Sequence, residues 1–158
     1  MVTLTVIAAV LTFVLLSGAY GVYFAYSNSV VPGLDRVDAE QAVAAMRRMN
    51  VVIVNPIFLL SFLGPVITGA ATGFLLLGLD ETTPALLFFA STVVYLFGSI
   101  ILTGAVNIPL NNALENSTST DWEQRWADFS PRWRKWNLAR ALLSMTSLAL
   151  AGIGLYAW

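Results

Sequence analysis

The sequence predicts an all-α fold, a four-transmembrane-helix bundle forming a single integral-membrane domain over residues 1–158. Two observations predict it. Apolar residues make up 58% of the chain and charged ones only 11%, against roughly 25% charged in an ordinary soluble domain. The charges also gather in three short places, leaving uncharged runs from Met1 to Leu34, Met49 to Leu79, Thr82 to Leu114 and Ala141 to Trp158. A helix crossing a bilayer takes about 20 mostly apolar residues, so each run is long enough for one crossing. A soluble bundle would show polar faces at helical spacing, and these runs are apolar almost all round.

The first span is expected at about 2–27. It starts at Met1 like a secretion signal, but it lacks a basic start and its apolar stretch is too long, so it is read as a helix of the mature protein. The first connection, "DRVDAEQAVAAMRRMN", offers Asp38 as an N-cap with Gln41 three residues on, then Val43 and Met46. That pattern predicts an amphipathic helix leading into a second span at about 50–79. In the second connection, "LDETTP", Asp80 and Glu81 stop one helix, Thr83 can cap the next, and Pro84 sits where no amide hydrogen is needed. The third span is expected at about 84–108. In the third connection Thr120 and Glu123 repeat the capping signature, Ser130-Pro131 is expected to interrupt the helix, and a last span follows at about 137–158.

The third connection also carries Trp122, Trp126, Phe129, Trp133 and Trp136, at steps of four, three, four and three, with basic residues threaded between them. This is a helical stripe. Tryptophan favours the headgroup layer, where its ring is apolar and its N–H still finds a partner. The stripe is therefore expected to anchor a helix at the interface, and a sharper reading makes it the roof of a pocket.

All eight basic residues lie in the first and third connections or just beyond, and "LDETTP" has none. The positive-inside rule then places those two connections, with their amphipathic helices, in the cytoplasm. The expected location is multi-pass in the plasma membrane with both chain ends extracytoplasmic. The chain has no cysteine and no histidine, which excludes disulfides and thiolate metal sites and removes the commonest metal ligand and general base. No metal or cofactor is expected. A net charge of −1 gives no basic footprint for nucleic acid. The partners expected are the lipid bilayer and a small hydrophobic molecule, with a homo-oligomer left open.

Polar side chains near the helix ends stand out against this background. Asn28, Asn50, Asn55, Asn107, Asn111 and Asn137 all map close to the cytoplasmic end of a span, and Arg140 lies about one turn further in. Such groups are costly in a bilayer and must pair or line a wet cavity. Pro109 in "VNIPLNNAL" frees a backbone carbonyl four residues earlier, and "VNPIF" repeats the device at Pro56. Two readings stand side by side: the amides glue helices together, or they surround a binding site. Gly69 and Gly73 allow close helix approach. Tyr20, Tyr23 and Tyr26 either pack near the interface or line a cavity.

Four segments in order, "SNSVVPGL", "AMRRMNVVIVNPIF", "VNIPLNNAL" and "WRKWNLAR", resemble the anthrone-oxygenase-like family of small membrane proteins, over about Gly21 to Arg140. The characterised type is associated with polyketide pathways, where an anthrone is oxidised by dioxygen to an anthraquinone without metal or flavin. The resemblance points to Asn50, Asn55, Pro56, Asn107, Pro109, Asn111, Trp136, Asn137 and Arg140, and of these Asn50, Asn55, Asn107, Asn111, Trp136 and Asn137 are the expected substrate-binding residues. One position departs: relatives often carry histidine after the asparagine of "WN", and this chain has Leu138. The implied chemistry needs a base to form a carbanion that reduces dioxygen, and a donor for the oxyanion. Asp35 and Glu40 are the candidate bases, and Asn side chains or Arg140 the donors. The competing expectation is a non-enzymatic protein that binds or transports a lipid or small hydrophobic molecule. A base near the asparagines separates the two.

The distribution of basic residues yields a direct test. Reporters fused to the C-terminus are expected to read as extracytoplasmic, and a cytoplasmic readout would overturn the orientation.

Overall fold

Five helices and no strand make up the computed structural model, which describes residues 1–158. Helix α1 is Val2–Leu34, α2 Ala39–Val52, α3 Pro56–Leu77, α4 Thr82–Asn116 and α5 Trp122–Ala157. All but α2 are long and apolar enough to cross a membrane. Short connections leave chain neighbours antiparallel, and the four long helices form a square in which α1 and α4 each pack on both α3 and α5.

Helix length explains the shape. The 22 residues of α3 rise about 33 Å, close to the roughly 30 Å of a bilayer's hydrocarbon. Helices α1, α4 and α5, with 33, 35 and 36 residues, rise about 50–54 Å. Met1 lies against Gly78 after α3, and Gly154 near the end of α5 lies against Phe88 near the start of α4. The helices are therefore level at that end, and the excess length of about 20 Å projects from the other. Helix α2 packs there, against the first half of α5 and the end of α4.

Two cores result. The spanning core joins Leu16, Tyr23, Leu76, Phe88 and Tyr95 with small residues such as Ala9, Ala19, Ala141 and Ala151. The second, in the projecting cap, joins Val31, Ala42, Val43, Met46 and Leu114 to Trp126, Phe129 and Trp133. In the spanning part the usual pattern is reversed. Thr5, Thr12, Thr72, Ser91, Ser99, Ser144 and Ser147 are buried, while Leu60, Ile67, Phe74, Leu86, Val93, Phe97, Leu142 and Ile153 face outward. Lipid is as apolar as leucine, so only small residues and hydrogen bonds favour helix contact. Ser91 and Ser147 accordingly donate to each other's carbonyls at 2.8 Å between α4 and α5. A Cβ on Gly69 would collide with Thr92, and one on Gly73 with Phe89, so "GAATG" is the close-approach face of α3 on α4.

Proline inside a helix frees a carbonyl four residues back. Pro65 does so in α3, and the Tyr95 hydroxyl donates to Ser61 O at 3.4 Å and Phe62 O at 3.0 Å. Pro32 and Pro109 each follow a π turn, Tyr26–Val30 in α1 and Thr103–Asn107 in α4. A wide turn accommodates the missing donor. A third π turn, Leu96–Ile101, has no proline and contains Gly98, where a Cβ would collide with Leu143.

Several local expectations are corrected. The stretch expected as a span from residue 50 divides: Asn50 ends up on the last turn of α2, and α3 starts only at Pro56. The residue before proline avoids helical angles, and Asn55 is extended at φ −129°, ψ 162°. Its Oδ1 accepts from Phe58 N at 3.0 Å and its Nδ2 donates to Val52 O at 3.0 Å, so "VNPIF" is a helix start rather than a freed carbonyl. The break expected at Ser130-Pro131 is absent, and the third connection has no separate helix, because α5 is continuous from Trp122. Trp126 and Phe129 before Pro131 and Trp133 after it share one core, which holds the helix together across the lost bond. The α5 cap is Asp121, accepting from Gln124 N at 3.0 Å, one residue later than the Thr120 signature. Asp38 flanks α2 without a side-chain hydrogen bond. Helix α4 begins at Thr82, ahead of Thr83, after Asp80 turns left-handed at φ 63°. That turn closes α3 by Glu81 N to Leu76 O and Asp80 N to Leu77 O, and Asp tolerates the conformation better than most residues.

The tryptophan stripe is likewise not a surface anchor along its whole length. Trp126 and Trp133 are buried in the cap core, and Trp136 is the exposed member at 37%. Doxyl-labelled lipids are expected to quench Trp136 and spare Trp126, as read with single-tryptophan variants. Asn55→Ala is expected to cost about 1 kcal/mol of stability through the lost cap, measured as a lower thermal midpoint in detergent.

Candidate functional site

Where the bundle meets the cap, the helices enclose a cavity of about 470 Å³. One wall is apolar: Val22 of α1, Ile53 and Val54 of the connection, and Phe58, Leu59 and Phe62 from the start of α3. The other is polar and comes from two helices. Helix α4 contributes Thr103, Asn107, Asn111 and Glu115, all four residues apart and so on one face. Helix α5 contributes Trp133, Asn137 and Arg140, spaced by four and three. Tyr23 and Tyr26 lie between them, and Arg47 and Asn50 enter from the last turns of α2.

Arg140 is the deepest charge. It is 6% exposed, and the ion pairs of the protein are Arg47–Glu115 and Arg134–Asp35, so its guanidinium has no carboxylate partner. Nη1 donates to Thr103 Oγ1 at 2.9 Å and Nη2 to Asn137 Oδ1 at 2.7 Å. The guanidinium stands 4.5 Å from the Tyr23 ring centre and 5.6 Å from that of Trp133. These π faces offset part of the burial cost of the cation. Its Nε–H is buried without a partner. A buried cation with no opposite charge beside it is costly to keep.

Asn137 is fully used. Its Nδ2 donates to Tyr23 O at 2.8 Å and Ser27 Oγ at 2.7 Å, and its Oδ1 is held by Arg140. It positions the guanidinium rather than facing a ligand. Asn111 is half used, since its Oδ1 accepts from the Trp133 indole at 2.8 Å, which leaves its NH₂ group as donor. Asn107 is 1% exposed, and neither its Oδ1 nor its Nδ2 has a partner. A buried amide left unpaired costs about 1–3 kcal/mol per lost bond, and this one lines the cavity. At the cap end Arg47 holds Glu115 at two points, Nε to Oε2 at 2.9 Å and Nη2 to Oε1 at 2.8 Å. These bonds raise the Arg47 pKa above its ordinary value.

The structure thus brings Asn50, Asn107, Asn111, Asn137 and Arg140 to one cavity and places four other expected residues elsewhere. Asn55 is consumed as the cap of α3. Trp136 points away on the outer face of α5. Asp35 is a structural acceptor: its Oδ1 takes the Trp126 indole at 3.0 Å and the Ser130 hydroxyl at 2.6 Å, and its Oδ2 faces Arg134 at 3.5 Å. Glu40 is exposed on a separate shallow groove with Trp122 and Glu123. Neither carboxylate reaches the asparagines, because the polar face of α4 is turned toward α5 rather than toward the chain before and at the start of α2. Sequence reasoning missed Thr103, Glu115 and Arg47. For the first two a signal existed, the four-residue step that Thr103, Asn107, Asn111 and Glu115 share. Arg47 reaches the cavity only through the packing of α2.

No curated protein and no solved structure matches the chain. Residues 58–150 match the family model described as anthrone oxygenase. The match covers more than half of the sequence and includes the whole polar wall of the cavity from Thr103 to Arg140, and on it this chain belongs to the anthrone oxygenase family.

Proposed function

We propose that the protein is a cofactor-independent oxygenase of the membrane that converts an anthrone-like hydrophobic aromatic to the corresponding quinone. The observation that carries the reading is Arg140, a buried cation without a counter-ion on the wall of a largely apolar cavity. An anthrone methylene is acidic because its conjugate base is an aromatic oxyanion. A guanidinium beside that oxygen stabilises the oxyanion, and a site excluding bulk water strengthens the effect. The unpaired amide of Asn107 and the NH₂ of Asn111 supply further hydrogen bonds. Glu115, the one carboxylate on the cavity wall, stands about 18 Å along α4 from the Thr103 to which Arg140 donates, so it takes the proton through water in the cavity rather than directly. The electron-rich carbanion then reduces dioxygen itself: the methylene and O₂ become a ketone and water, and the protein's part is proton removal and charge stabilisation.

The clustering of all eight basic residues at the capped end supports a cytoplasmic location for that end, and the plasma membrane is the membrane we propose. A second reading, binding without chemistry, is favoured by the two-point hold of Arg47 on Glu115, which weakens that carboxylate as a base.

Purified protein given anthrone in mild detergent separates the two. Oxygen uptake with anthraquinone absorbance is expected above the uncatalysed rate, and Arg140→Leu is expected to lower kcat by about 10²–10³ while the variant stays folded. Saturable anthrone binding with no protein-dependent oxygen uptake would leave binding alone.

A further inference from the structure

The cavity needs a way in, and its rim is uneven. Helix α3 packs closely on the first half of α4, Thr82–Tyr95, but that contact thins at the π turn Leu96–Ile101. Beyond that turn the two helices part, and the cavity fills the gap. The residues at this edge are apolar and outward-facing: Val54 at 65% exposed, Leu59 at 39% and Ile108 at 47%. Helix α3 has just the length to cross the hydrocarbon, so Leu59, one turn past Asn55, lies at its boundary. About 10 Å further along α4, the Arg47–Glu115 pair ties α2 to α4 and makes the cap side of the rim charged and polar, in contrast to this apolar edge.

We propose that the cavity opens sideways into the bilayer through the gap between the start of α3 and Ile108, and takes neutral hydrophobic molecules dissolved in lipid rather than solutes from water. This rests on the reading of the cavity as a hydrophobic ligand's site. A neutral molecule crosses the apolar edge without desolvation cost. It meets polar groups only inside, at Asn107 and then Arg140. Selection follows from the order: an aromatic already ionised in water stays out, and one that ionises easily beside a cation is held after entry.

The test uses a variant whose other tryptophans are phenylalanine, leaving Trp133, which lines the cavity at 4% exposure. In vesicles, membrane-dissolved 2-bromonaphthalene is expected to quench Trp133, and aqueous iodide is not. Since the chain has no cysteine, Leu59→Cys can be alkylated selectively with N-phenylmaleimide, and this is expected to abolish the quenching by bromonaphthalene. The same treatment of Ile57→Cys, equally near the boundary but on the outer face at 81% exposed, is expected to leave it intact. Quenching of Trp133 by iodide, absence of quenching by bromonaphthalene, or indifference to alkylation at residue 59 would each overturn the portal. The readout involves no turnover, so a protein that admits the naphthalene yet fails to oxidise anthrone refutes the oxygenase reading alone.

Discussion

Hydrocarbon offers no hydrogen-bond partner, so every polar group of the spanning part must find one inside the protein. Much of the bundle follows from that constraint. The serine and threonine faces turn inward and the leucines outward. The hydroxyl pair of Ser91 and Ser147 sits between two helices that have only close packing and hydrogen bonds to hold them together. Even the proline of α3 is matched by a tyrosine on α4 whose hydroxyl reaches the freed Ser61 carbonyl and the neighbouring one of Phe62. Close approach at Gly69, Gly73 and Gly98 brings these groups within reach.

The same constraint makes the exception meaningful. Arg140 is supported by a hydroxyl, an amide and two aromatic rings, and by no negative charge. Asn107, on the same cavity, has neither of its amide atoms paired. Ser144 Oγ and Arg125 Nε are also buried without a partner, but of these groups only Arg140 and Asn107 stand on the wall of the cavity. The π turn Thr103–Asn107, just ahead of Pro109, lies on this wall and carries both Thr103 and Asn107.

The cap is a different device. Its core of tryptophans, Phe129 and the apolar face of α2 is built like that of a soluble protein. Asp35 pins the exit of α1 to it through Trp126, Ser130 and Arg134, and Arg125 closes the α4–α5 connection by donating to Leu114 O and Ser119 O at 3.0 and 2.9 Å. With the ends of three long helices held this way, the polar residues on them keep their mutual positions.

The number of helices, the apolar runs and the clustering of amides at one end were legible in the sequence, because length, hydropathy and the cost of a polar group in lipid are local properties of the chain. The family resemblance in the "VNIPLNNAL" and "WRKWNLAR" segments was legible in the same way. Which polar residues face one another was not. Asp35 and Glu40 were as acidic in the sequence as Glu115, and Asn55 as polar as Asn107. Only the packing of α4 against α5, and of α2 across both, decided that Asn107, Glu115 and Arg140 share a cavity while Asp35 holds an indole and Asn55 caps a helix. Those outcomes depend on rotation about helix axes and on contacts between residues far apart in the chain, where one residue's step of about 100° separates a ligand-facing side chain from a lipid-facing one.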